Sequence, residues 1–138
     1  MSKLSCILLV DDDSTTNYLN RRLLEKLAVA DRVLVALNGQ EALRMLAAEC
    51  PETGGEATCP TLVFLDINMP LMNGFAFLEA YQQLPLARRR ALVIVMLTTS
   101  VHPRDLQRLE ALPVAGFLNK PLNPAKVQQV LQDHFGQK

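Results

Sequence analysis

The chain has 138 residues, the size of one ordinary domain, and its 49% hydrophobic fraction is ample for a packed core. Lys and Arg together number 14, as do Asp and Glu, so no bulk charge draws the chain to nucleic acid or to a membrane surface. No apolar run approaches the roughly 20 residues that span a bilayer, and Met1 to Cys6 leads into a strand-like stretch rather than a signal peptide, so a cytoplasmic setting is expected.

The first predicted strand, Cys6 to Val10, ends in Asp11-Asp12-Asp13. Adjacent carboxylates repel one another, and their charge is favoured only beside a cation or hydrogen-bond donors. Asp13 and Ser14 are suited to capping the helix that follows. That accounts for one acid and leaves Asp11 and Asp12 as candidate cation ligands. Leu19, Leu23, Leu24 and Leu27 recur at helical spacing and predict the first helix. Cys6, inside an apolar run, reads as a small buried hydrophobe. A second strand, Val33 to Ala36, is followed by a helix carried by Ala42, Leu43, Leu46 and Ala47. The connection from about Glu49 to Pro60 is the one long loop, and Cys50 and Cys59 stand in it. A disulfide or metal site is open to them, but no histidine or further cysteine pair nearby completes zinc ligation, so two reduced thiols are expected. The loop lies at the sheet end opposite the strand C-termini and reads as a surface insertion.

The third strand, Leu62 to Leu65, is closed by Asp66. A carboxylate there is costly unless paired or metal-bound; taken alone, Asp66 suits a turn or cap as well as a site. Ile67-Asn68-Met69-Pro70 then turns toward Asn73-Gly74, and Phe77, Leu78 and Tyr81 mark the third helix. The fourth strand, Leu92 to Leu97, runs into Thr98-Thr99-Ser100, whose hydroxyls commonly cap backbone groups. Leu106 and Leu109 mark a fourth helix whose Arg104, Gln107 and Arg108 form either a partner surface or a solvated face. The fifth strand, Ala115 to Leu118, leads through Asn119 to Lys120-Pro121, where the proline restricts Lys120 toward extended backbone. Val127, Val130 and Leu131 predict a fifth helix.

Five strands, each followed by a helix, predict an α/β fold, (βα)5, with a doubly wound parallel sheet in the order 2-1-3-4-5. Such sheets bind ligands beyond the carboxyl ends of their strands. Gathered there are Asp11, Asp12, Asp66, Thr98 and Lys120. Mg²⁺ prefers a few carboxylates plus water and phosphate oxygens. A carboxylate is also a competent nucleophile toward a phosphoryl group, and such transfer is catalysed mainly by alignment and charge neutralisation. Mg²⁺, Lys120 and the Thr98 hydroxyl supply suitable contacts to the phosphoryl oxygens. An ionised carboxylate needs no base, so His102 and His134 need no role.

The pattern resembles the receiver domain of two-component response regulators, the chemotaxis-regulator type with a flavodoxin-like fold, over essentially the whole chain. Leu8 to Ser14 resembles the first-strand acid motif, and Phe64 to Pro70 followed by Asn73-Gly74 is similar to the phosphorylation-site motif. Met96-Leu97-Thr98-Thr99 resembles the switch-threonine strand end, and Phe117-Leu118-Asn119-Lys120-Pro121 the lysine–proline motif. The resemblance implies Asp66 as phosphoacceptor. It implies Mg²⁺ held by Asp12 and Asp66 directly, by Asp11 through water and by the backbone carbonyl of Asn68. Lys120 contacts the phosphoryl oxygens, Thr98 swings toward them, and Phe117 follows as the aromatic switch; a tyrosine is common at that position, and Phe117 lacks its hydroxyl. Asn68 and Ser100 resemble positions that tune phosphoryl lifetime.

The function this implies is a phosphorylation switch. The donor is a sensor histidine kinase or a histidine phosphotransfer protein, and a downstream protein target reads the result. The fourth helix, fifth strand and fifth helix form the expected moving face and a candidate homodimer surface. No output domain fits in the chain, and neither direct DNA binding nor membrane contact is expected. Three alternatives compete. An aspartate-nucleophile phosphohydrolase matches the spacing of Asp11 and Asp13, and would turn over phosphate esters even as Asp66→Asn. A flavin or nucleotide module would need a phosphate loop rich in Ser, Thr and Gly, and a coloured protein would mark the flavin. A degenerate receiver would lack the complete acid, threonine and lysine set.

Overall fold

A computed structural model of the chain describes residues 4–49, 60–67, 69, 72–83, 92–98 and 114–136. The described strands are β1 (Leu4–Val10), β2 (Ala30–Ala36), β3 (Leu62–Asp66), β4 (Val93–Thr98) and β5 (Gly116–Asn119). The described helices are α1 (Ser14–Leu27), α2 (Gly39–Glu49), α3 (Gly74–Gln82) and α4 (Pro124–Phe135). Every strand pairing is parallel and the order is β2-β1-β3-β4-β5, as the alternation of apolar runs and helical segments predicts. The helix expected from Leu106 and Leu109, with Arg104, Gln107 and Arg108, lies outside the described residues, as does the loop with Cys50 and Cys59. No described helix is long and apolar enough to cross a membrane.

Successive strand side chains point to opposite faces, and the sheet is covered on both. Leu8, Val63 and Leu65 pack with Ala42 and Leu46 of α2 and Phe77 and Leu78 of α3. Ile7, Leu9 and Phe64 pack with Leu24 of α1 and Val127 and Leu131 of α4. The inner strands β1 and β3 are therefore nearly continuous apolar runs. The edge strands differ from that expectation. β2 starts at Ala30, three residues before the predicted Val33, because exposed Asp31 and Arg32 join the ladder beside Cys6 without contributing to the core. Likewise β5 exposes Phe117 and Asn119 and ends at Asn119 rather than Leu118.

Helix α1 turns Leu23, Leu24 and Leu27 to the core as expected, but not Leu19. Its buried residues are Asn17, Asn20 and Leu24, while Leu19 is 59% exposed. The physical reason lies at the strand ends, where backbone carbonyls need donors that leucine cannot supply. In α2 the buried positions are Gly39, Ala42 and Leu46, and Ala47 faces solvent.

Local chemistry explains where the helices start. Asp13 caps α1 by accepting from the Thr15 amide, Asn73 caps α3 by accepting from Ala76, and Asn123 caps α4 by accepting from Lys126. Pro124 then opens α4 at the one place where a missing N–H costs nothing. Gly136 closes it in the left-handed region, at φ 64°.

Candidate functional site

The carboxyl ends of β1 and β3 lie side by side, because Val10 pairs with Leu65 in register. Asp11 and Asp66, one residue beyond each, therefore meet in the crevice where the strand order reverses. Both are buried, at 2% and 5% exposure, whereas Asp12 is exposed. One carboxylate oxygen from each of Asp11, Asp12 and Asp66 lies within 4.8 Å of the others.

Lys120, the residue that follows β5, reaches back over this group. Its Nζ donates to Asp11 Oδ2 at 2.7 Å and stands 3.4 Å from Asp66 Oδ1. Burial alone pulls an ammonium's pKa down. Here the hydrogen bond to Asp11 and the charge of Asp66 outweigh it and hold Lys120 above its usual value. The peptide bond to Pro121 is cis. Lys126 of α4 donates to the carbonyls of Asn119 and Pro121, at 2.6 and 3.0 Å, and so grips the chain on either side of Lys120.

Asp11 is held at all of its polar groups. Its N–H donates to the Ala36 carbonyl and its own carbonyl accepts from Asn17 Nδ2. Its Oδ1 accepts from the Asp13 amide and its Oδ2 from Lys120. Asp13, by contrast, is occupied as a cap. Its carboxylate accepts from the Thr16 hydroxyl and the Thr15 amide, and these bonds hold its pKa below the usual carboxylate value. That engagement answers the spacing of Asp11 and Asp13, which would otherwise suggest a nucleophile and its acid partner.

Behind Asp66 the start of α3 comes unusually close. The Gly74 amide donates to the Ile67 carbonyl at 2.9 Å. A Cβ on Gly74 would lie 3.0 Å from Ile67 Cα and 3.1 Å from the Asp66 carbonyl oxygen, so only glycine fits without moving that backbone. Of the remaining predicted site residues, Thr98 is the last residue of β4, paired with Asn119 and one position beyond Leu97, the partner of Asp66. Phe117 sits on β5 opposite Met96 and is 39% exposed. Asn68 and Ser100 lie outside the described residues.

The donor set is all oxygen and two of its three carboxylates are buried, which suits a hard cation such as Mg²⁺ and not a thiophilic one. Asn17 and Lys126 are the residues that sequence reasoning missed. Both act on backbone carbonyls, which leave no mark in the sequence. The one available signal was an asparagine at an inward helical position.

A doubly wound sheet with an acid trio and a lysine at its carboxyl edge defines a receiver of the CheY-like type. Comparison with known proteins agrees: the response regulator receiver domain family matches residues 7–132, and the chain belongs to that family. Receivers of this family are phosphoacceptor signalling domains that bind Mg²⁺ through their acidic cluster and work with histidine kinases or phosphotransfer proteins. A probable methanogenesis regulatory protein, FilR2, from Methanothrix harundinacea is 31% identical over 92% of this chain and 79% of its own length. The chemotaxis protein CheY4 of Vibrio cholerae superposes with a TM-score of 0.75 at 28% identity, over 94% of this chain and 98% of that one. A two-component response regulator from Cytophaga hutchinsonii matches in fold with a TM-score of 0.84 at 23% identity, covering 99% of this chain and 100% of that one.

Proposed function

We propose that the chain is a stand-alone cytoplasmic receiver that takes a phosphoryl group onto Asp66 and passes the new state on by protein contact or phosphorelay. The observation that carries this reading is the shared ammonium, with Lys120 Nζ 2.7 Å from Asp11 and 3.4 Å from Asp66. It leaves a buried strand-end carboxylate facing a cation that can transfer its contacts to incoming phosphoryl oxygens.

The donor is a phosphohistidine of a sensor kinase or phosphotransfer protein. An Asp66 carboxylate oxygen attacks phosphorus, the new O–P bond forms as the P–N bond breaks, and the electron pair leaves with the imidazole, which takes a proton from water. An ionised carboxylate is itself the nucleophile, so no base is required. Lys120 orients the phosphoryl oxygens and offsets their charge. Asp12, Asp66 and the Asn68 carbonyl, with Asp11 through water, would hold Mg²⁺, which would supply charge neutralisation to those oxygens. The Thr98 hydroxyl then turns toward the phosphoryl group, and Phe117 exchanges its exposed position for a buried one. The face formed by the predicted helix around Leu106, β5 and α4 meets the downstream target or a second copy of the chain, with no direct contact to DNA.

The test is incubation with Mg²⁺ and a small acyl-phosphate donor, followed by intact mass. One phosphoryl adduct is expected on the wild type and none on Asp66→Asn. An unmodified wild type, or an equal adduct on Asp66→Asn, would refute the assignment.

A further inference from the structure

Asn17 is a polar residue where helix α1 should be apolar. It is only 2% exposed, on the face that packs against the sheet. Its Nδ2 donates to the Asp11 carbonyl at 2.8 Å and lies 3.5 Å from the Ala36 carbonyl, so it bridges the carboxyl ends of β1 and β2. Its Oδ1 is buried with no hydrogen-bond partner among the described residues. An unsatisfied buried amide oxygen is costly. An asparagine kept solely for packing would be better replaced by a leucine. The donor half of the side chain must therefore offset what the acceptor half loses.

The carbonyl that Asn17 holds belongs to the peptide joining Asp11 to Asp12. A peptide is planar, so fixing its oxygen fixes the amide of Asp12 and the direction in which the exposed Asp12 side chain leaves the strand end. Asp11 is already anchored through its N–H to Ala36 and through its carboxylate to Asp13 and Lys120. Among the described residues no hydrogen bond or ion pair holds the Asp12 side chain itself, so its aim rests on the peptide before it. We infer that Asn17 is a positioning residue for the acid trio. By clamping the Asp11 carbonyl it aims Asp12 at the point shared with Asp66, and so sets the affinity of the site for Mg²⁺. The inference rests on the proposal that the trio is the Mg²⁺ site.

Groups that orient metal ligands typically change affinity by about 10- to 100-fold when removed. Titration calorimetry with MgCl₂ on the full chain is the direct measurement, with folding checked by circular dichroism. Asn17→Leu removes the donor at similar size and is expected to weaken Mg²⁺ binding about tenfold. Asn17→Ala serves the same purpose if the leucine variant does not fold. Asn20→Leu is the control. Asn20 is also inward-facing on α1, at 8% exposure, and a general loosening of the helix would affect both variants alike. Full affinity in folded Asn17→Leu or Asn17→Ala overturns the inference, as does an equal loss in Asn20→Leu. A wild type that binds no Mg²⁺ overturns the underlying site assignment as well, so the two failures are distinguishable.

Discussion

Asp11, Asp12 and Asp66 each bring a carboxylate oxygen within 4.8 Å of the others, and the Lys120 ammonium contacts Asp11 and Asp66, so like charges crowd the site before a cation binds. Of the three, Asp12 is the exposed one, and removing its charge relieves repulsion without emptying buried space. Asp12→Asn should therefore raise the thermal midpoint in metal-free buffer by a few degrees, the equivalent of about 1 kcal/mol. It should also abolish the further rise that MgCl₂ gives the wild type; a lower metal-free midpoint would show that Asp12 contributes to folding by attraction. Lys120 behaves in the opposite sense. Its folded pKa is raised above the usual 10.5, so its stabilising charge is fully present below that value and is lost as pH rises through the folded pKa. The stability difference between wild type and Lys120→Met, followed by urea unfolding, should stay flat from about pH 6 to 10 and shrink only above it. A decline near neutral pH would contradict the ion pair. The closeness of Asp66 and Lys120 was legible in the sequence only from their company, because with Asp11 and Asp12 they end strands at one edge of the sheet.

Helix α4 shows what could not be read in that way. Val127, Val130 and Leu131 announce its inner face, and the structure adds Asn123 as its cap and Pro124 as its first residue. Lys126 looks like any solvated lysine, yet its Nζ holds the carbonyls of Asn119 and Pro121 that flank Lys120. Lys126→Met keeps the stem and removes these donors. The expected cost in stability is small, about 1 kcal/mol, because the bonds are solvent-exposed. Labelling of Asp66 by an acyl phosphate should slow severalfold, since Lys120 would be held less firmly. A wild-type labelling rate would show that the turn keeps its shape unaided. The same blindness to backbone partners explains α1, where Leu23, Leu24 and Leu27 face the core as expected but Asn17 and Asn20, not Leu19, complete the inner face. Hydrophobic periodicity locates a helix and most of its inner face, but not an inward polar residue such as Asn17 that meets strand-end carbonyls.

Across the whole molecule, the sheet separates two apolar layers while its edge brings the chemistry together. Topology was legible because parallel strands covered on both faces leave continuous apolar runs, as in Leu62 to Leu65; the edge strands β2 and β5 were mis-bounded where exposed residues, Asp31, Arg32 and Asn119, join the ladder. Leu46 of α2 is fully buried in one layer and Leu131 of α4 in the other. Each Leu→Ala change should cost about 2–5 kcal/mol in urea unfolding. If the sheet is a rigid wall, the two share no neighbours and the double mutant should lose their sum to within about 0.5 kcal/mol. Coupling well beyond that would mean that repacking in one layer is felt in the other through β1 and β3. Those are the strands whose ends carry Asp11 and Asp66, with Phe64 facing the layer of α1 and α4 and Leu65 facing that of α2 and α3. A strongly coupled sheet would carry a charge change at Asp66 into both layers at once. An uncoupled one would confine the response to the elements that touch the site, β5 and the turn held by Lys126.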